Sequence, residues 1–205
     1  MNTYKLIPLL ILLSLFACSE TETDYTTDEF ITIPVDPSVK SEGVLEDFIQ
    51  SKEEIFLEET EESLIGNIAR VEVTDSYIFV FASSESKILQ FNRKGDFIKV
   101  MGKIGQGPEE YSRVTTFTID QEKEQIFIAD LRKILIYDFD NNFIQAISGY
   151  VIPNYLHHDG TYLEVFRTET QTSPSGGGAL KYPTRYRLGM ENYEQLDTLV
   201  IAEIA

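Results

Sequence analysis

From Ile68 onward, apolar residues fall in short runs that alternate with turn-forming residues. Ile68–Val73, Tyr77–Ala82, Lys87–Asn92 and Phe97–Met101 read as four strands. Asp75-Ser76 joins the first pair and Arg93-Lys94-Gly95-Asp96 the last. The plan then returns in Thr115–Asp120, Gln125–Asp130, Lys133–Asp138 and Phe143–Ser148. A step of 46 residues carries Lys87 onto Lys133 and Phe97 onto Phe143, and a step of 48 carries Ile78 onto Ile126. Where the first copy turns on Lys94-Gly95-Asp96, the second has Asp140-Asn141-Asn142, residues that also tolerate left-handed backbone. Ile134 to Tyr137 is apolar without alternation, which suits a strand covered on both faces.

A third unit is looser, with strands expected at Asn154–His158, Thr161–Arg167, Tyr182–Glu191 and Gln195–Ile201. Between its second and third strands lie the 16 residues Thr168–Pro183, which include Ser173-Pro174-Ser175-Gly176-Gly177-Gly178 and read as a long loop. The matching links in the earlier units are only Ser83–Ser86 and Leu131-Arg132. Units of about 40–50 residues with four short strands each are the sequence mark of β-propeller blades. The expected fold is all-β: a partial β-propeller of about three four-stranded antiparallel blades, near residues 64–102, 114–149 and 151–205. Upstream, Phe30–Val35 and Glu53–Glu59 are strand-like, and Val44–Gln50 fits a helical turn or an irregular strand. The acids between Glu53 and Glu62 suit a solvated outer edge.

The N-terminus follows a different pattern. Lys5 precedes an 11-residue apolar stretch, Leu6–Phe16, which is shorter than the ~20 residues of a spanning helix and fits the apolar core of a signal peptide. Leu15-Phe16-Ala17-Cys18 resembles the lipobox of bacterial lipoproteins. That resemblance implies cleavage after residue 17, acylation of Cys18 and anchoring to a lipid bilayer. Residues 18–29 then form a polar tether ahead of a domain over 30–205. Cys18 is the sole cysteine, so the fold holds by packing without an internal disulfide. Ser19–Asp24 is acidic, as in the export signal of surface lipoproteins of Bacteroidetes or in an ordinary solvated tether.

The formal charge of −17 excludes nucleic acid as a partner and disfavours direct contact with anionic headgroups.

Ser63-Leu64-Ile65-Gly66, Asp75 with Tyr77-Ile78-Phe79-Val80, Lys94-Gly95-Asp96-Phe97-Ile98 and Gly102 through Tyr111 together resemble the six-bladed, NHL-like β-propeller lipoproteins of Bacteroidetes. The resemblance implies an outer-membrane lipoprotein facing the periplasm or the cell surface. Residues 64–205 supply about three blades, about half a six-bladed ring, so the expectation is a truncated propeller or a ring completed by a second chain.

Few constellations suggest chemistry. Gly102–Pro108 is glycine-rich, but a strand rather than a helix is expected after it, so it reads as a crossing between blades and not as a phosphate cradle. His157 and His158 are adjacent on an expected strand and point to opposite faces, and the chain has no other histidine. No metal, cofactor or catalytic residue is assigned. The resemblance implies that a ligand meets the face carrying the blade crossings and middle-strand links. On this chain that selects Tyr111, Arg113 and Arg132, with Thr168–Pro183 over the channel mouth. Tyrosine and arginine are the types most enriched at interfaces. The expected function is a membrane-anchored binding module for a protein, peptide or glycan. The alternatives are a propeller-type enzyme (lactonase, lyase or glycan hydrolase) and a non-functional fragment of a longer propeller.

Overall fold

The computed structural model describes residues 49–149, 153–172 and 179–200. The chain divides into two compact units, Met1–Lys52 and Glu53–Ala205, and every described strand lies in the second. Phe30–Val35, Cys18 and most of Val44–Gln50 lie outside the described residues.

Twelve strands form three four-stranded antiparallel sheets, each in sequential order, and no helix occurs among the described residues. The first sheet contains β1 (Ile68–Val73), β2 (Tyr77–Ala82), β3 (Lys87–Asn92) and β4 (Phe97–Met101). The second contains β5 (Thr116–Asp120), β6 (Gln125–Ala129), β7 (Lys133–Asp138) and β8 (Phe143–Ser148). The third contains β9 (Tyr155–His158), β10 (Tyr162–Thr172), β11 (Ala179–Gly189) and β12 (Gln195–Val200). The first strands of successive sheets lie against one another, β1 by β5 and β5 by β9, so the sheets are the blades of a partial propeller with β1, β5 and β9 innermost.

The repeat read from the sequence is a repeat of backbone. Both blades carry a register shift at the same place, between Gln90 and Phe91 and between Ile136 and Tyr137, a step of 46 residues. Both close their outer hairpin on a left-handed residue, Gly95 at φ 93° and Asn141 at φ 76°. In each, the residue three earlier accepts the hydrogen bond of that turn, Gly95 N–H to Asn92 O and Asn141 N–H to Asp138 O, both 3.0 Å. Glycine is required at 95: a Cβ there would lie 2.0 Å from the carbonyl oxygen of Phe56. Asparagine suffices at 141, where its side chain accepts from Gly102 N–H and ties the hairpin to the crossing that precedes its blade.

Packing follows from burial on both faces. Ile88 and its counterpart Ile134 are both fully buried, each turned toward the following blade. Leu89 and its counterpart Leu135 both face the preceding side. Phe79, Phe81 and Met101 of blade 1 thus meet Ile126, Ile128 and Tyr137 of blade 2. Phe127, Ile134 and Ile136 of blade 2 meet Leu163, Val165 and Leu188 of blade 3. The remaining apolar face of blade 1 is packed by Ile55, Leu57 and Ile65 from the segment before β1.

Three expectations change. Glu53–Glu59 is extended but is not a strand: its main chain bonds to a turn, Glu58 N–H to Gly95 O at 2.8 Å, instead of to a ladder. Thr115, Asp130, Asn154 and Thr161 fall just outside β5, β6, β9 and β10, and Met190 and Glu191 outside β11. Thr168–Pro183 is largely not a loop. Strands β10 and β11 are 11 residues each and stay paired from Tyr162↔Gly189 out to Thr172↔Ala179, with Thr168 opposite Pro183.

Candidate functional site

Two cavities, one along the inner strands and one at a blade entry, bear on the candidate site. The larger, about 530 Å³, opens along the inner strands between Arg70 and Glu72 of β1, Thr116 of β5 and Tyr155 and His157 of β9. Its arginine is fully engaged. Arg70 donates from Nε and Nη2 to Glu72 Oε1, at 2.8 and 2.5 Å, and from Nη1 to the carbonyl of Leu156 at 2.9 Å. Its guanidinium also sits 4.4 Å from the centroid of the Tyr155 ring. Arg70 therefore ties the inner edge of blade 3 to blade 1 and quenches an edge carbonyl that would otherwise face water. The charge is neutralised within the pair, so the cavity offers no free cation.

The smaller cavity, about 360 Å³, lies at the entry to blade 2, between the crossing from β4 to β5 and the link from β6 to β7. Gly105, Gln106, Glu110 and Ser112 line it from the crossing, and Asp130, Leu131, Arg132 and Lys133 from the link. The crossing is built by local bonds: Ile104 bridges Tyr111 in parallel, and Glu110 Oε2 accepts from Gly107 N–H at 2.9 Å. Lys133 clamps the crossing to the blade by donating to Gly107 O at 2.7 Å and Pro108 O at 2.9 Å. Asp130, buried, gathers the rest. Its Oδ1 accepts from Ser112 Oγ at 3.2 Å, Arg113 N–H at 3.2 Å and Leu131 N–H at 2.7 Å.

Of the three residues selected from the sequence, Arg132 lines this cavity and Arg113 adjoins it, next to Ser112. Arg113 and Arg132 are both exposed; Arg113 N–H donates to the Asp130 carboxylate, and Arg132 follows Leu131, whose N–H donates to the same oxygen. Of the seven arginines in the chain, Arg70, Arg93, Arg167, Arg185 and Arg187 hold a carboxylate among the described residues; Arg113 and Arg132 do not. Tyr111 is fully buried and donates its hydroxyl to Met101 O at 3.0 Å, so it packs beneath the crossing, beyond a ligand's reach. Burial, with the adjoining Tyr137, pushes its ionisation well above the usual tyrosine range. Tyr137 is raised too, first by burial and then by the charges of Glu109 and Glu110, against a lowering hydrogen bond from Lys103 N–H. No described residue of 168–183 lines either cavity.

The two histidines diverge as adjacent strand residues must: His157 is exposed, whereas the side chain of His158 is only 6 % exposed, 3.6 Å from Asp120 Oδ2 and stacked at 6.1 Å on Phe127. Sequence reasoning missed Arg70, Glu110 and Asp130. Arg70 had a legible signal, a cation two residues from Glu72 on the same face of a short strand; the other two are acids among many.

A family model described as a domain of unknown function, DUF4934, matches residues 30–175. The chain belongs to the DUF4934 family. Among solved structures, the DUF4934 chain is similar to one from Bacteroides fragilis NCTC 9343 named "Putative exported protein", at 21% identity and a TM-score of 0.58, over 73% of this chain and 42% of that one. The chain thus spans less than half the length of that structure. It also has 10% identity and a TM-score of 0.44 to the WD40 domain of Neurospora crassa Pan2, over 65% of this chain and 36% of that one. No curated protein matches the DUF4934 chain in sequence.

Proposed function

We propose that this DUF4934 chain is an outer-membrane lipoprotein, anchored through acylated Cys18, whose blades form a binding module for a protein, peptide or glycan. Its three sheets are an arc of a six-bladed, NHL-like ring, which further blades or a second chain complete. The name of the Bacteroides fragilis neighbour supports export, and the signal-like segment ahead of Cys18 supports the anchor. One observation carries the binding role: in a chain whose net charge is −17, Arg132 lines a formed cavity and Arg113 adjoins it, and neither side chain holds a carboxylate among the described residues. In so acidic a chain, cations left without a carboxylate are free for a ligand.

Two experiments test this. Cys18→Ala should move the protein from the detergent-extracted membrane fraction to the soluble fraction; retention in the membrane fraction would defeat the anchor. An array of immobilised glycans and peptides, probed with wild type and with Arg113→Ala/Arg132→Ala, should show signals that the double variant loses. An array on which the two proteins behave alike would defeat the binding site.

A further inference from the structure

We propose that the cavity at the entry to blade 2 recognises an acidic saccharide, with a uronate carboxylate on Arg113 and Arg132 and the sugar hydroxyls on the crossing. This rests on the binding-module reading and names its ligand class. The first argument is local charge. In the lining, Arg132 and Lys133 balance Glu110 and Asp130, so the cavity is neutral on a chain of −17, and Arg113, exposed next to Ser112, adds a further cation at its rim. A guanidinium without a partner offers a planar fork of N–H donors that matches a carboxylate.

The second argument is that the cavity is rich in acceptors as well as donors. Glu110 engages the main chain through Oε2 and Asp130 through Oδ1. Neither second oxygen has a hydrogen-bond partner among the described residues, so both are acceptors for hydroxyl groups. Gln106 and Ser112 add polar groups that both donate and accept. A purely anionic ligand such as an acidic peptide side chain would meet these carboxylates at a cost. A sugar acid brings its charge to the arginines and its hydroxyl donors to the acids. The third argument is rigidity: Lys133 and Asp130 fix crossing and link to each other by four hydrogen bonds, so the cavity needs little ordering on binding.

The test is calorimetric titration of the purified full chain with tetragalacturonate, its fully methyl-esterified counterpart and a hexaglutamate peptide. Tetragalacturonate should bind, and more weakly as salt is raised. The esterified tetramer and the peptide should each bind at least about tenfold more weakly, a single charge-assisted contact being worth roughly that factor. Arg113→Ala/Arg132→Ala should lose binding by about the same factor with an unchanged thermal melt, and Arg132→Lys should lose less. No binding of tetragalacturonate at millimolar concentration would overturn the proposal. So would equal binding of the ester, tighter binding of the peptide, or a double variant that binds like wild type. Binding of the ester or the peptide that still depends on both arginines would leave the binding module standing and remove only the acidic saccharide.

Discussion

The entries to blades 1 and 2 occupy the same place in the repeat, yet one is shut and the other open. At blade 1 the link between the middle strands carries Glu85, two residues before Lys87. Its carboxylate accepts from Gly66 N–H at 3.3 Å and so closes over the crossing, while Asn67 and Ser83 are joined at 2.7 Å beside it. At blade 2 the residue two before Lys133 is Leu131, the acid is gone, and Arg132 follows it. The lysine does the same work in both: Lys87 donates to Glu62 O and Lys133 to Gly107 O and Pro108 O. What differs is the occupant of the gap, a carboxylate in one and a cavity with two unpaired guanidiniums beside it in the other. The repeat thus supplies scaffold, and the departure from the repeat marks the candidate site.

The largest effects should come from the scaffold half of this comparison. Ile88→Ala and Ile134→Ala remove equivalent, fully buried side chains, and each should cost about 2–5 kcal/mol in chemical denaturation. Costs differing by more than about 2 kcal/mol would show that the two sites are not equivalent. Gly95→Ala should cost at least about 2 kcal/mol, because its Cβ would collide with main chain, against about 1 kcal/mol for Asn141→Ala at the matching turn, where strain and a lost hydrogen bond replace the collision.

Alkaline pH sharpens the same contrast. The ionisation of Tyr111 and Tyr137 is raised by burial at the blade 2 entry, so the stability they confer is fully present below the unfolded tyrosine value near 10.0 and is lost as pH rises through their folded values. Absorbance at 295 nm should therefore show Tyr111 still protonated in the folded protein at pH 10.5, about half a unit above that ordinary value, with unfolding following at higher pH. Ionisation of Tyr111 while the fold persists would contradict its burial. The smallest effect belongs to the open entry itself: Arg113→Ala or Arg132→Ala alone should shift stability by no more than about 0.5 kcal/mol, since both side chains are exposed and neither holds a carboxylate among the described residues.

Much of this was legible in advance, for reasons the residues make plain. Blade 1 follows its expected strand limits throughout, because its apolar runs are bounded by turn residues that do turn, such as Gly95. The exchange of Gly95 for Asn141 was readable because both residues tolerate positive φ. Blade 3 was less legible. Pro183 and the Ser-Pro-Ser-Gly run signal a loop, but Pro183 sits within a strand opposite Thr168 in a ribbon that extends well beyond the blade. Ile55 and Leu57 alternate like a strand and do pack inward, yet the hydrogen bond of Glu58 N–H goes to a turn.

At the site, Arg113 and Arg132 could be picked by type and by position in the repeat. Type could not reveal that Tyr111 is buried, because tyrosine serves cores and surfaces alike. Nor could it single out Asp130, whose role depends on three donors from two segments meeting one oxygen.

The comparison can be tested by giving blade 2 the residue that shuts blade 1. Leu131→Glu places a carboxylate at the position of Glu85, within the cavity that Arg132 lines. Titrated with tetragalacturonate, the variant should keep its thermal melt and lose binding, because the new acid fills the gap and pairs the free arginines. A folded Leu131→Glu variant that binds as tightly as wild type would contradict the account.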